Sequence, residues 1–185
     1  SMRDIKIMLL LVKSKSDISS FMDNYIKFAL PLLSSQGPNK DMAQELLQEL
    51  INSGYDINKL MVFAWNVAWK GVFSKPITEF FIKNGANPNY LNTFDVKIRS
   101  TVQKEIDGSG SFCPQTKGSR TPLTLATGTS LNDDEQAVKV LLDAGADINL
   151  IANLYPNHPN KLLRGPHTPL YFAINMGKTK VVELL

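Results

Sequence analysis

Three segments of this chain carry apolar residues at helical spacing, and each is closed by a glycine. Leu46, Leu47, Leu50 and Ile51 precede Gly54. Phe80, Phe81 and Ile82 precede Gly85. Ala137, Val138, Val140, Leu141 and Leu142 precede Gly145. The 3.6-residue recurrence predicts amphipathic helices. Each glycine stands where the chain turns left-handed to leave its helix. After each comes a tripeptide ending in asparagine: Asp56-Ile-Asn58, Asn87-Pro-Asn89 and Asp147-Ile-Asn149. Gly54 and Gly85 are 31 residues apart, which sets the length of a unit.

Shorter helices are predicted to pair with these. Thr121-Pro-Leu-Thr-Leu-Ala126 and Thr168-Pro-Leu-Tyr-Phe-Ala173 are two versions of one start signal. Proline suits the first helical turn, where its missing N–H leaves no hydrogen bond unmade. Asn132 is expected to cap the helix containing Leu141, with Glu135 completing the reciprocal cap. Leu60 to Trp69 and Lys75 to Asn84 make another pair, the second capped by Ser74 with Pro76 in its first turn. Toward the N-terminus, Asp17 caps a predicted helix with Phe21, Tyr25, Phe28 and Leu32 on one face. Asp41 to Asn52 follows, and residues 2–15 form an extra helix covering the end of the array. At the other end the chain stops at Leu184-Leu185 inside a second helix with no glycine exit, and the expectation is a fragment or further residues.

On these residues the pattern resembles the ankyrin repeat, a β-turn plus two helices over about 33 residues. The resemblance implies an all-α fold: an ankyrin-repeat solenoid of stacked helix-turn-helix units with short β-hairpin fingers. It makes 1–185 one domain, with a degenerate repeat at 17–58, repeats at 59–90 and 117–150, and a partial repeat at 167–185. There are departures. Thr124 and Tyr171 stand where the family places the histidine that ties adjacent turns, which leaves that network open. No Thr-Pro begins the Leu60 helix.

Two segments are too long for the pattern. Asn89 to Thr121 spans 32 residues and Asp147 to Thr168 spans 21, against about nine and about eleven for regular units. The excess falls at 91–116 and 151–166, on the finger side. In the first, Phe94 to Ile106 is predicted helical and Asp107-Gly-Ser-Gly-Ser111 flexible. The second has three prolines and is predicted irregular. These insertions either extend a binding surface or cover it, or they are surface decoration.

Composition alters this little. Hydrophobic residues are 43% of the chain, enough for a continuous core. The net charge is +3, but residues 61–120 hold 8 basic and 4 acidic side chains. That excess reads as a solvated face, because a nucleic-acid site needs a denser patch and a recognisable module. A single cysteine, Cys113, excludes an intrachain disulfide and favours a reducing compartment. No apolar run reaches the length of a membrane span. His158 and His167 have no Cys-x-x-Cys or His-x-x-x-His companion, so no metal or cofactor is expected. Asp133, Asp134 and Glu135 are explained by helix-start electrostatics rather than acid–base catalysis. Trp65 and Trp69 lie one turn apart, either in the packing between units or, for Trp69 especially, as a binding anchor.

The expected function is therefore a non-enzymatic protein–protein interaction module without catalytic residues. It binds a protein partner of unknown identity, and neither membrane nor nucleic acid. The family places contacts on the finger tips and the exposed side of the first helices. Carried over by position, these are Arg120 and His167 before Thr-Pro, then Trp69 and Lys70, Thr129 and Ser130, and Asn175 and Met176 at first-helix ends. Tyr90 and Tyr155, at the insertions, add aromatic candidates. The alternative is a targeting arm of a larger enzyme whose catalytic domain lies outside this chain. An excess of Lys over Arg (16 to 4) and 15 Asn hint at an AT-rich genome. With irregular repeats this fits a secreted factor of an intracellular bacterium or a virus acting on host proteins. The expected location is cytoplasmic, that of the host if secreted.

Overall fold

The computed structural model describes residues 2–14, 26, 29–33, 36–67, 75–95, 117–128, 135–156 and 164–185. Asp17, Trp69, Lys70, Ser74, Cys113, Thr129, Ser130, Asn132 and His158 lie outside them, as does the packing of the Trp65 side chain. The elements are α1 (Met2–Lys13), α2 (Pro38–Asn52), α3 (Ile57–Val67), α4 (Lys75–Lys83), β1 (Asn92–Asp95), β2 (Lys117–Arg120), α5 (Pro122–Gly128), α6 (Glu135–Asp143), α7 (Pro169–Asn175) and α8 (Thr179–Leu184). The fold is mostly helical, with one two-stranded sheet among the described residues.

The three glycine exits take one form. Gly54, Gly85 and Gly145 have φ of 90°, 91° and 86°, a region open to glycine at little cost. In each, the residue after the glycine donates its N–H five residues back: Tyr55 to Leu50, Ala86 to Phe81 and Ala146 to Leu141, at 3.1, 3.0 and 2.9 Å. The glycine N–H donates three residues back, to Ile51, Ile82 and Leu142. This is the Schellman pair that satisfies the last helical carbonyls. A fourth instance has no counterpart in the sequence pattern: Gly177, at φ 68°, with Lys178 donating to Ala173, turns α7 into α8.

The asparagine tripeptides join unit to unit. Asn58 Oδ1 accepts the Asn87 N–H at 2.7 Å, and Asn89 Oδ1 accepts the Asp147 N–H at 2.7 Å. Asn89 Nδ2 also donates to the Gly145 carbonyl at 2.9 Å. Within a tripeptide the first side chain accepts the third N–H, as in Asp56–Asn58, Asn87–Asn89 and Asp147–Asn149. The first residue of a tripeptide thus shapes its own turn, and the side chain of the third, at Asn58 and Asn89, holds the next one.

Helices pack within pairs, α3 on α4, α5 on α6 and α7 on α8. They also pack across pairs, α3 on α5 on α7 and α4 on α6 on α8. One apolar cluster runs from Ile5, Met8 and Val12 of α1, which lies on α2, to Val181 of α8. Leu125, Ala126 and Leu141 are buried as the stripes predict. Leu142 and Val140 are only half-buried, since the buried stripe of a nine-residue helix is narrower than its apolar content.

Several boundaries differ from the sequence reading. The helix expected from Asp41 begins at Pro38, because Gly37 (φ 76°) supplies the turn and proline the first helical position. That expected from Leu60 begins at Ile57, because Asp56 Oδ1 accepts the N–H groups of Asn58 and Lys59 and caps it. Around residue 30 the buried side chains are Ile26, Ala29, Leu30 and Leu33. Leu32, assigned to the inward face, is half-buried. Phe94 is not helical. It lies in β1, which pairs antiparallel with β2 in the register Asn92↔Arg120, Thr93↔Ser119, Phe94↔Gly118 and Asp95↔Lys117. Cross-strand packing against Gly118 decides this, because a Cβ there would fall 2.3 Å from the Phe94 ring.

Candidate functional site: fingers and first helices

The finger strands lead directly into the first helices. β2 ends at Arg120 and α5 starts at Pro122, so whatever fixes Thr121 fixes both. Thr121 and Thr124 cap reciprocally. The Thr121 N–H donates to Thr124 Oγ1 at 2.8 Å, and the Thr124 N–H donates to Thr121 Oγ1 at 3.1 Å. Both residues are buried. This is the logic of a capping box with threonine in the glutamate position; its bonds stay within Thr121 and Thr124. The other edge of β2 is occupied too. The Ser119 N–H donates to the Asn153 carbonyl at 3.0 Å, and the Asn153 N–H to Ser119 Oγ at 2.9 Å. A finger strand, a capped first helix, a second helix, a left-handed exit and a turn thus succeed one another between Ser119 and Asn153. Residues 119–153 match the ankyrin repeat family model. Nothing among curated proteins or solved structures matches the chain.

The ankyrin repeat is bonded to the segment C-terminal to it. Ala152 and His167 exchange backbone hydrogen bonds at 3.0 and 2.9 Å, so the row of fingers runs β1, β2, Asn153, His167. At the far end of α5 two carbonyls are met by groups from beyond the repeat. Tyr155 donates its hydroxyl to the Gly128 carbonyl at 2.5 Å, and Lys178 Nζ donates to the Ala126 carbonyl at 2.8 Å. Lys178 is buried. A cation and a hydroxyl at a helix C-terminus satisfy carbonyls that the helix itself leaves open. Leu154 lies over Gly128, where a Cβ would come within 2.3 Å of it. Residues 151–156 of the second insertion are irregular, as predicted, but tied to the repeat rather than loose.

The candidate residues divide into two groups and a remainder. In the first, the Arg120 guanidinium sits 4.0 Å from the centre of the Phe94 ring, a cation–π contact. Burial lowers its pKa from the ordinary value, reflecting the cost of removing a cation from water. The second gathers Tyr155 and His167 around Phe172. The His167 ring stacks on Tyr171 with centroids 3.8 Å apart and meets Phe172 edge-on at 5.7 Å. Tyr155 meets Phe172 edge-on at 6.0 Å. His167 Nε2 donates to the Arg164 carbonyl at 2.9 Å. Burial raises the Tyr155 pKa above that of an ordinary phenol.

The others are apart from these. Tyr90 is half-buried before β1, its N–H bonded to the Asn87 carbonyl at 3.1 Å. Asn175 is exposed at the end of α7 and donates back to the Tyr171 carbonyl at 2.9 Å. Met176 is half-buried against the core. Trp69, Lys70, Thr129 and Ser130 lie outside the described residues. Sequence reasoning missed Phe94, Tyr171, Phe172 and Lys178 as members of this face. The pattern of the second Thr-Pro-Leu start, with two aromatics directly after it, was the available signal for Tyr171 and Phe172. Nothing in the pattern marked Lys178.

Among the described residues no group of three or more His, Cys, Asp or Glu could hold a metal ion. None of their helices is long and apolar enough to cross a membrane.

Proposed function

We propose that the chain is a solenoid of ankyrin-type units, 1–185 forming one array, whose finger and first-helix side binds a partner protein. The observation that carries this is the recurrence of one device outside the matched repeat. The Gly54 and Gly85 exits reproduce the left-handed turn and paired backbone bonds of the Gly145 exit, and Asn58 and Asn89 bond from their turns into the following one. Each unit then contacts its neighbours and the stack displays an extended surface. The partial repeat at 167–185 and the degenerate one at 17–58 are units of that array. The insertion segment 151–156 belongs to the surface, since its Tyr155 packs on Phe172 as His167 does. Arg120 orders the finger through Phe94, and the exposed Asn175 and neighbouring Ile174 (60% exposed) offer direct contacts. The role in a host cytoplasm belongs to this reading as its most specific form.

The test is a pull-down with the purified chain, followed by affinity measurements on the recovered partner. Asn175→Ala and Ile174→Ala should each weaken binding several-fold at unchanged melting temperature, as contact residues do. Normal binding by both, together with loss of binding when Lys139 and Glu183 on the second helices are replaced, would move the site to the opposite face.

A further inference from the structure

The second helices carry a charge pattern that packing does not require. Counting back from the exit glycine, α4 places Lys75, Glu79 and Lys83 ten, six and two residues before Gly85. At the same three positions before Gly145, α6 places Glu135, Lys139 and Asp143. The signs are opposite at all three. In α8, Val181 is buried as Ala137 and Ile77 are, which puts Glu183 at the position of Lys139 and again inverts the sign. The helices are neighbours in that order, α4 against α6 against α8, and all of these charged side chains except Lys83 line one open groove between them. Lys180 Nζ reaches across to Glu135 at 3.7 Å, and Lys75 pairs with Glu79 within α4 at 3.6 Å. The alternation ends at α2, where the same positions before Gly54 hold Gln44, Gln48 and Asn52.

We propose that these alternating signs act as an adjacency code that fixes which helix pair stacks on which. The inference rests on the stacked-array reading. The buried stripes, Ile77, Thr78 and Phe81 in α4 and Ala137, Val138 and Leu141 in α6, are short, and hydrophobic packing of about the right volume tolerates more than one arrangement. Like charges facing one another at equivalent positions penalise the wrong ones, and specificity of this kind comes from repulsion as much as attraction. Two units of the same sign pattern, α4 against a second α4 for instance, would oppose Lys to Lys and Glu to Glu. Exposed pairs of this kind contribute little each to stability, which is why their placement rather than their number is informative. Being exposed, they are screened by salt.

The test is a cycle of charge swaps that leave net charge unchanged: K75E/E79K in α4, E135K/K139E in α6, and the two together. At about 20 mM salt the α6 swap should lower Tm by about 3–6 °C. Adding the α4 swap should recover a good part of that loss, because the two helices are then complementary again. In about 0.5 M salt the differences should shrink to near the error of the measurement. A milder cycle of Glu79→Lys with Lys139→Glu reads the same coupling if the larger swap impairs folding. Losses that simply add in the combined variant, or an α6 loss that persists in high salt, would overturn the proposal. Partner binding is not read in this experiment, so failure of the binding-face proposal leaves its outcome untouched.

Discussion

Asn89 joins two successive turns by one side chain. Its Oδ1 accepts the Asp147 N–H at 2.7 Å and its Nδ2 donates to the Gly145 carbonyl at 2.9 Å. Asn89→Ala removes both. A net hydrogen bond contributes about 0.5–1.5 kcal/mol, and two give about 1–3 kcal/mol. The site is partly exposed, so water replaces part of the loss and the expected cost is about 1–2 kcal/mol. For a chain of this size each kcal/mol moves Tm by about 2–4 °C. The structure supplies its own controls. Asn58 makes one such bond, to the Asn87 N–H, and Asn58→Ala should cost about 0.5–1.5 kcal/mol. Asn149 occupies the same place in its tripeptide, but its side chain makes no hydrogen bond among the described residues. Asn149→Ala should change stability by less than about 0.5 kcal/mol. Urea and thermal unfolding of the three variants read the series directly. Equal losses for Asn89 and Asn149, or a neutral Asn89 variant, would show that asparagine serves only its own turn.

Three further outcomes are expected. Thr124→Val, close in shape, leaves the buried Thr121 N–H without its acceptor and should cost about 1–3 kcal/mol by urea unfolding. At Gly145 an added Cβ meets no atom within 4 Å but the residue must take φ 86°, so Gly145→Val should cost about 1 kcal/mol or more through backbone strain, with an unchanged Tm counting against this. Tyr155 has its pKa raised by burial, so its contribution is complete below the ordinary phenol value of about 10 and is lost as pH rises through the higher folded-state value. Tyr155→Phe should lower Tm at neutral pH by removing the bond to the Gly128 carbonyl. It should also make stability fall less steeply than in the parent chain above about pH 10.

The amino-acid sequence by itself determined the local devices. A glycine after an apolar stripe needs no partner to turn left-handed, and Gly54, Gly85 and Gly145 do so. Proline after threonine needs only its own ring to favour a first helical turn, and α5 and α7 begin at Pro122 and Pro169. These signals are physical properties of a few consecutive residues, so they are legible one after another along the chain. The features that only the tertiary structure decided depend on residues far apart. Phe94 has a helical neighbourhood in sequence, yet β1 forms because β2 arrives with a glycine beneath the ring. Arg120 reads as a free anchor, yet its guanidinium is already over Phe94. Thr124 departs from the family pattern, yet its hydroxyl closes a cap once the helix positions it against Thr121. Lys178 gives no sign of burial until the end of α5 presents it with a carbonyl, 52 residues away. In each case the energy lies in a pair, and a pair is fixed only when the tertiary fold brings its two members together.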